Sequence, residues 1–238
     1  MRFTFDSYSE LIKLIKREGY AISNYQDYDN YDKVVIIKHD VDMSLGKAFE
    51  LARLENQLGI RTIYNVLLCS NFYNPYSKKS IEYIRGIETL GHEIGLHFDE
   101  VRYERAEDIV VEINNEIALL EKYINGNVRS FSMHRPSAET LKANYIVNKG
   151  KTVNTYSETF FREFKYVSDS RRNWQEDPIE TVTCGKYSRI HILTHPIWYT
   201  QDEEDIAMRL EDFLQGAISE RYENMKENIR DLESIITL

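Results

Sequence analysis

The amino-acid sequence predicts an α/β fold built on a parallel sheet, and two observations predict it. Short apolar runs, typical of strands covered on both faces, alternate with longer segments that have the apolar periodicity of helices. The first four runs centre near residues 35, 65, 94 and 130, a spacing of roughly 30 residues that matches a βαβ unit. Right-handed crossovers then make successive strands parallel, in a sheet of about seven strands.

The predicted elements follow one another without a linker. The first helix can be capped by Ser7 and Glu10 and ended by Gly19, and the second runs from Ser44 to Gly59. Between and after them the sequence predicts strands at 34–37, 62–68, 93–96, 128–133, 151–155, 165–168 and 189–194, and helices at 77–90 and 109–124. Acidic residues at 202–205 favour the start of a long C-terminal helix, which Gly216 could break. We therefore predict a single domain, 1–238.

Composition excludes several classes of function. The chain has 30 Lys and Arg against 39 Asp and Glu, a net charge of −9, so we predict no nucleic-acid partner, because phosphate backbones are bound by clustered basic residues. The first residues lack a secretory signal pattern, and no apolar run is long enough to span a bilayer. We expect a cytoplasmic protein without membrane insertion. Cys69 and Cys184 are too far apart in sequence to indicate a zinc knot or a disulfide framework.

Polar clusters occur where the predicted strands end. They are His39–Asp42, Gly91–His97, His134–Pro136, Asp169–Arg171 and Thr194–Pro196. A single histidine or aspartate at a strand end is more often structural. However, the carboxyl ends of parallel strands converge on one face, where ligands and catalytic groups assemble. Five clusters on that face therefore predict a functional site.

The residue types in these clusters are typical of a metal-dependent hydrolase. Of Asp40 and Asp42, one could bind a divalent metal while the other takes a proton from water; alternatively, either could cap the following helix. His97 and His134 are candidate ligands, since neutral imidazole suits zinc and related ions. His92 could also be a ligand but could equally be structural.

The other clusters supply candidate supporting groups. His195 precedes Pro196 at a strand exit and could protonate a leaving amine as a general acid. Arg135 could orient the catalytic carboxylate or form a surface ion pair. Trp198 could support a sugar ring or pack in the core. His191 lies inside its strand and is predicted to be structural.

Together these motifs resemble the polysaccharide deacetylase superfamily, the NodB-homology carbohydrate esterases, over about residues 33–199. The resemblance implies a distorted (β/α)7 barrel, here with N-terminal and long C-terminal helices, that removes N-acyl groups from amino sugars with a zinc-like metal. It implies that Asp40 is the catalytic base and Asp42 a metal ligand. His97 takes the place of the first of two histidine ligands spaced by four, and Val101 stands in the second place.

The departure at Val101 requires another ligand, for which we predict His134, with His92 and then Asp99 or Glu100 in reserve. The segment from Tyr166 to Arg171, with Trp174 beyond it, resembles the fourth motif, and the segment ending at His195 resembles the fifth. The resemblance implies that Asp169 positions its catalytic neighbours and that His195 is the catalytic acid. Arg171 and His39 are predicted to support the site or to bind substrate.

The resemblance also implies a cofactor and a substrate class. The predicted cofactor is Zn²⁺, with Co²⁺, Ni²⁺ or Fe²⁺ as alternatives. The motifs are most similar to those of an intracellular subgroup found with surface-glycan biosynthesis. This implies an N-acetyl or N-formyl sugar linked to a nucleotide or lipid as the substrate and partner.

Two other functions are open on the sequence. Asp40-Val41-Asp42 matches the Asp-x-Asp pattern that holds a nucleotide-sugar diphosphate in glycosyltransferases, although the histidines suit a softer, hydrolytic metal. Alternatively, a valine at position 101, where a metal ligand is expected, favours a degenerate barrel that binds glycans without catalysis. The C-terminal helix could serve a homodimer or pack against the barrel.

Overall fold

The computed structural model describes residues 1–103 and 108–238 and divides them into two compact units, Met1–Gln201 and Asp202–Leu238. The strands, all in the first unit, are β1 (Ala21–Ser23), β2 (Val34–Val41), β3 (Ile63–Leu67), β4 (Glu93–Phe98), β5 (Ser130–Met133), β6 (Val153–Asn154), β7 (Lys165–Ser168) and β8 (Arg189–Thr194). The α-helices of this unit are α1 (Phe5–Arg17), α2 (Leu45–Gln57), α3 (Lys78–Thr89), α4 (Ile109–Leu120), α5 (Thr140–Ala143) and α6 (Pro178–Thr183). That the chain is a single domain stays a prediction.

Every pairing between these strands is parallel, as the spacing of the apolar runs predicts. The strand order is β6-β5-β4-β3-β2-β8-β7, and the short β1, which the sequence pattern does not predict, lies beside the first half of β2. The two ends of this path approach each other through Tyr156 and Tyr166, whose hydroxyl oxygens are 3.5 Å apart. The sheet is thus an open, curved half-barrel surrounded by helices, which confirms the predicted distorted (β/α)7 fold.

Local sequence explains where the helices begin and end. Ser44 caps α2 by accepting a hydrogen bond from the backbone N–H of Lys47, as predicted. α1 begins earlier than predicted, because the Thr4 side chain accepts from the backbone N–H of Ser7. Gly19 follows the end of α1 with φ of +80°, a conformation that favours glycine.

The central strand β2 is buried along its whole length, and its alternation sorts side chains between two layers. Val35 and Ile37 pack against α1 in one apolar cluster. Ile36 packs in a different cluster with Tyr25 and Phe160, in the interior of the curved sheet. Lys38 and Asp40 share the interior face with Ile36, since they follow it at intervals of two.

The second unit contains α7 (Ile206–Lys226), the predicted long C-terminal helix. It begins at Asp205, whose side chain accepts a hydrogen bond from the backbone N–H of Met208. The helix continues through Gly216, so the break considered there is wrong. Across the two described stretches of chain, no helix has the length and apolar character needed to cross a membrane.

Candidate active site

Three predicted ligand residues come together at the carboxyl ends of the strands. Asp42 follows β2, His97 lies in β4 and His134 follows β5. His97 Nε2 is 3.0 Å from Asp42 Oδ1, His134 Nδ1 is 3.4 Å from the same oxygen, and the two nitrogens are 3.2 Å apart. We call these three residues the ligand cluster. Within the described residues, no other group of three acids, histidines or cysteines is arranged so that it could hold a metal.

The donor atoms of the ligand cluster fit a divalent metal. Asp42 Oδ1 is buried and makes no hydrogen bond of acceptable geometry, although two imidazole nitrogens lie within 3.4 Å of it. Ligand atoms bound tetrahedrally at 2.0–2.1 Å are about 3.3 Å apart, which matches the observed separations. Burial would raise the pKa of Asp42, but contacts with His134 and His97 hold it well below its usual range. Two imidazoles and an ionised carboxylate form a set that zinc and related ions accept.

Asp40 lies beside the ligand cluster but points into the interior of the sheet, where it is only 2% exposed. Three side chains donate hydrogen bonds to its carboxylate: Asn65 Nδ2 to Oδ1 at 2.8 Å, Ser132 Oγ to Oδ2 at 3.0 Å, and Lys38 Nζ to Oδ2 at 3.1 Å. Its Oδ1 is also 3.9 Å from His97 Nδ1. Burial would raise the pKa of Asp40, but the charges of Lys38, His97 and His195 hold it well below its usual range. The carboxylate is therefore ionised and held in one orientation.

His195 and Asp169 form a pair at the exits of β8 and β7. His195 Nδ1 is 2.5 Å from Asp169 Oδ1, and its backbone N–H donates to Asp169 Oδ2 at 2.9 Å. Thr194 Oγ1 donates a further short hydrogen bond to the same Asp169 Oδ2. Burial lowers the pKa of His195, but the charges of Asp169, Asp42 and Asp40 outweigh it and raise the pKa to about 9. Since Nδ1 is occupied, His195 presents Nε2 to the site, 3.8 Å from Asp42 Oδ2.

Solved structures of deacetylases share this architecture. A chitin deacetylase from the fungal pathogen Colletotrichum lindemuthianum matches with a TM-score of 0.51 at 13% identity, covering 84% of this chain and 87% of that one. A peptidoglycan N-acetylglucosamine deacetylase matches with a TM-score of 0.50 at 14% identity, covering 87% of this chain and 90% of that one. The chain has the polysaccharide deacetylase fold.

The remaining comparisons give one weaker structural match and two searches without a match. A pseudoenzyme of carbohydrate esterase family 4 from Bacillus anthracis matches with a TM-score of 0.47 at 13% identity over 80% of this chain, and the match spans 62% of that protein's length. A scan of protein-family models finds no match, and neither does a search of curated proteins. At such low identity the comparisons show the fold, while activity, substrate and partners are matters for proposal.

The structure explains how this version of the fold departs from the deacetylase motifs. Val101, in the place of the second histidine ligand, is 58% exposed in the turn Glu100–Tyr103. The reserve candidates are engaged nearby: Glu100 accepts from the backbone N–H of Ser137 at 2.6 Å, and Asp99 accepts from Val101 N–H at 3.2 Å. His134 occupies the ligand cluster instead, where the sequence predicts it, although its binding of a metal stays a prediction.

The structure places His39 and His92 behind the sheet, away from the ligand cluster. His39 Nε2 is 2.9 Å from Glu55 Oε1, in the layer between the sheet and α2, because side chains alternate along β2. His92 Nδ1 is 3.6 Å from Glu55 Oε2, and its Nε2 is 3.0 Å from the Ala52 carbonyl oxygen. Further donors complete the shell of this buried carboxylate: Tyr8, Thr62 and Tyr64. Both histidines therefore support the packing of α2 on the sheet rather than the ligand cluster.

Three other predicted residues lie at the edge of the site or inside the sheet. Arg135 Nε donates a hydrogen bond to His134 Nε2 at 2.8 Å rather than to Asp40. A metal bound to His134 Nδ1 would end this hydrogen bond, because the imidazole proton would then be on Nε2, which could no longer accept. Trp198 is half-buried in the turn Pro196–Trp198, which is compatible with either predicted use. His191 is buried and bonded to Tyr25, as expected of a structural residue.

Arg171 is exposed in the turn Ser170–Arg172, with φ of 59°. This conformation is uncommon for a residue with a side chain. Its predicted part in supporting the site or binding substrate stays a prediction.

Sequence reasoning missed the residues that hold Asp40. Lys38, Asn65 and Ser132 lie on different strands, and all three are fully buried. One signal was available, because Lys38 directly follows four apolar residues of a strand covered on both faces, and a buried charge requires a partner.

Proposed function

We propose that this protein is a metal-dependent hydrolase that removes an N-acyl group from an amino sugar. The proposal rests on two groups of residues that lie side by side. They are the ligand cluster of Asp42, His97 and His134, and the hydrogen-bonded pair His195–Asp169. His195 Nε2 is 3.8 Å from Asp42 Oδ2. A metal-binding set beside an imidazole proton donor is what hydrolysis of an amide requires. The polysaccharide deacetylase fold supports the substrate class by analogy.

The roles of the residues follow from their positions. A divalent metal in the ligand cluster would act as a Lewis acid toward the amide carbonyl. Asp40 takes a proton from the attacking water through Oδ1, the oxygen on the side of His97. His195, oriented by Asp169, gives its Nε2 proton to the leaving nitrogen. The products are a free carboxylic acid and the amino sugar.

The finer parts of the proposal rest on the resemblance of the motifs. We propose Zn²⁺ as the metal, with Co²⁺, Ni²⁺ or Fe²⁺ as alternatives, because two histidines and one carboxylate suit these ions. We propose an acetyl or formyl group as the acyl group, and a nucleotide-linked or lipid-linked precursor as the sugar. A cytoplasmic location and a homodimer are likewise proposals.

The two rival functions lose support from the same geometry. A cation that holds a diphosphate prefers hard oxygen ligands, whereas the ligand cluster contains two imidazoles and Asp40 is paired with Lys38. The degenerate barrel was suggested by Val101, but His134 stands within 3.4 Å of Asp42 Oδ1. Both observations favour hydrolysis.

The test is release of acid from an N-acyl sugar. Zinc-loaded protein is incubated with a nucleoside-diphosphate-linked N-acetylhexosamine, its N-formyl counterpart and oligomers of N-acetylglucosamine, and free acetate, formate and nucleoside diphosphate are measured. We expect metal-dependent release of acid from at least one substrate, reduced by about 10²- to 10⁴-fold in His195→Gln, which keeps its metal. Release of nucleoside diphosphate without acid would instead indicate glycosyl transfer.

A further inference from the structure

Lys38 is a lysine in the interior of the sheet with no exposed surface. Its ammonium meets three groups: Ser132 Oγ at 2.6 Å, Asp40 Oδ2 at 3.1 Å, and the ring of Tyr156, whose centroid is 4.6 Å from Nζ. An ammonium has three N–H donors, so each of them has a partner inside the protein. Such pairing is needed, because an isolated buried ammonium is strongly unfavourable.

These contacts give the two oxygens of Asp40 different surroundings. Because Lys38 donates to Ser132 Oγ, the Ser132 hydroxyl directs its own proton to Asp40 Oδ2, at 3.0 Å. Oδ2 therefore receives two hydrogen bonds from the interior of the sheet. Oδ1 accepts a hydrogen bond from Asn65 Nδ2 at 2.8 Å and has a longer contact with Lys38 at 3.4 Å. It also lies 3.9 Å from His97 Nδ1, on the side of the ligand cluster.

We propose that Lys38 is the positioning residue of the catalytic base. Together with Ser132 it fixes Oδ2 of Asp40 inside the sheet and so aims Oδ1 at the water that attacks the amide. On the sequence, Arg135 could take this role or form a surface ion pair. Lys38 has the suitable position, because residues two apart on a strand share a face. The inference rests on the proposed function, in which Asp40 is the base.

A positioning role differs from a purely structural one in what it changes. In Lys38→Met the ligand cluster keeps its residues, so metal content and KM should not change. Asp40 loses its cation and one of the two donors to Oδ2, so the carboxylate can turn away from the orientation that Lys38 and Ser132 hold. The loss should therefore appear in kcat.

The experiment compares Lys38→Met, Ser132→Ala, Asp40→Asn and the double variant Lys38→Met/Asp40→Asn. Lys165→Met is the matched control, because Lys165 is also a strand lysine paired with an acid, Glu176. Metal content, kcat and KM for the N-acyl sugar, and a crystal structure of each zinc-loaded variant are measured. Ser132→Ala leaves no buried charge unpaired, so it keeps the test informative if Lys38→Met folds poorly.

We expect Lys38→Met to keep one metal per chain and its KM within twofold, while kcat falls by about 100-fold. Ser132→Ala should lose about 10-fold in kcat, and the double variant should be no slower than Asp40→Asn, because Lys38 acts through Asp40. The Asp40 carboxylate should be rotated in the Lys38→Met structure. The control Lys165→Met should have the metal content, kcat and KM of the wild type.

Unchanged kcat in Lys38→Met and Ser132→Ala, or losses that multiply in the double variant, would overturn the inference. A wild type that binds metal but releases no acid from any substrate would contradict the proposed function instead. In that case the crystal structures still decide about Lys38, since an Asp40 side chain that keeps its orientation without Lys38 is not positioned by it.

Discussion

Replacing Gly95 by alanine should disturb Asp40 from a distance. Gly95 lies in β4, and a Cβ atom built on it would be 2.1 Å from Asn65 Oδ1 and 3.0 Å from the Ser130 carbonyl oxygen. The first distance is more than 1 Å below a normal contact, so the Asn65 side chain must move. The hydrogen bond that Asn65 donates to Asp40 Oδ1 at 2.8 Å is then lost.

The expected magnitude follows from these two effects. Overpacking of a buried position costs about 1–3 kcal/mol, and a lost hydrogen bond to a charged group costs about 1.5–3 kcal/mol. We therefore expect Gly95→Ala to lower the free energy of unfolding by about 4 kcal/mol. Urea denaturation followed by circular dichroism measures this change, and the rate of acyl release should fall in the fraction that remains folded.

A matched control uses the same substitution at an open position. Gly216 lies inside α7, and among the described residues an added Cβ would meet no atom within 4 Å beyond its chain neighbours and its own helix backbone. Gly216→Ala should therefore stabilise its helix by about 0.5–1 kcal/mol. If the free energy of unfolding of Gly95→Ala lies within 1 kcal/mol of that of the wild type, the close approach of Asn65 to β4 does not require glycine there. That result would refute the reasoning.

Two further predictions concern the carboxylates. Asp40→Asn should keep its metal and lose activity, whereas Asp42→Asn should lose both, because only Asp42 belongs to the ligand cluster. Elemental analysis with an acid-release assay checks this, and equal metal retention by the two variants would show that the assigned roles are wrong. Burial would raise the pKa of Glu55, but His39 and its other donors lower it from 4.5 to about 2. Its ionised form therefore stabilises the fold above pH 4.5, and this contribution is lost as the pH falls toward 2. Urea midpoints measured between these pH values should fall more steeply for the wild type than for Glu55→Gln, and parallel curves would contradict the assignment.

The sequence could predict most of the fold because its signals are local. Apolar runs placed β7 at 165–168 and β8 at 189–194, where the structure has them, and Ser44 identified the start of α2. The meeting of Asp42, His97 and His134 was also predictable, because each follows or ends a parallel strand and the strand ends converge. The three-residue β1 gave no signal, since its pattern is too short to show a period.

What the sequence could not give depends on strand register and on the face each residue occupies. His39 and Asp40 are neighbours in one polar cluster, yet one contacts Glu55 behind the sheet and the other contacts Lys38 inside it. The contact between Ser132 and Lys38 joins residues 94 positions apart. Such pairings follow from how the sheet curves, which no local pattern specifies.

The most direct test of the account is the metal content of the purified protein, measured by elemental mass spectrometry. Wild type is compared with Asp42→Ala, His97→Ala and His134→Ala, and with His195→Gln as the control histidine that is not a ligand. The account predicts about one divalent metal per chain in the wild type and in His195→Gln, and its loss from each of the other three. A wild type without metal after zinc is added, or three ligand variants that keep it, would contradict the account.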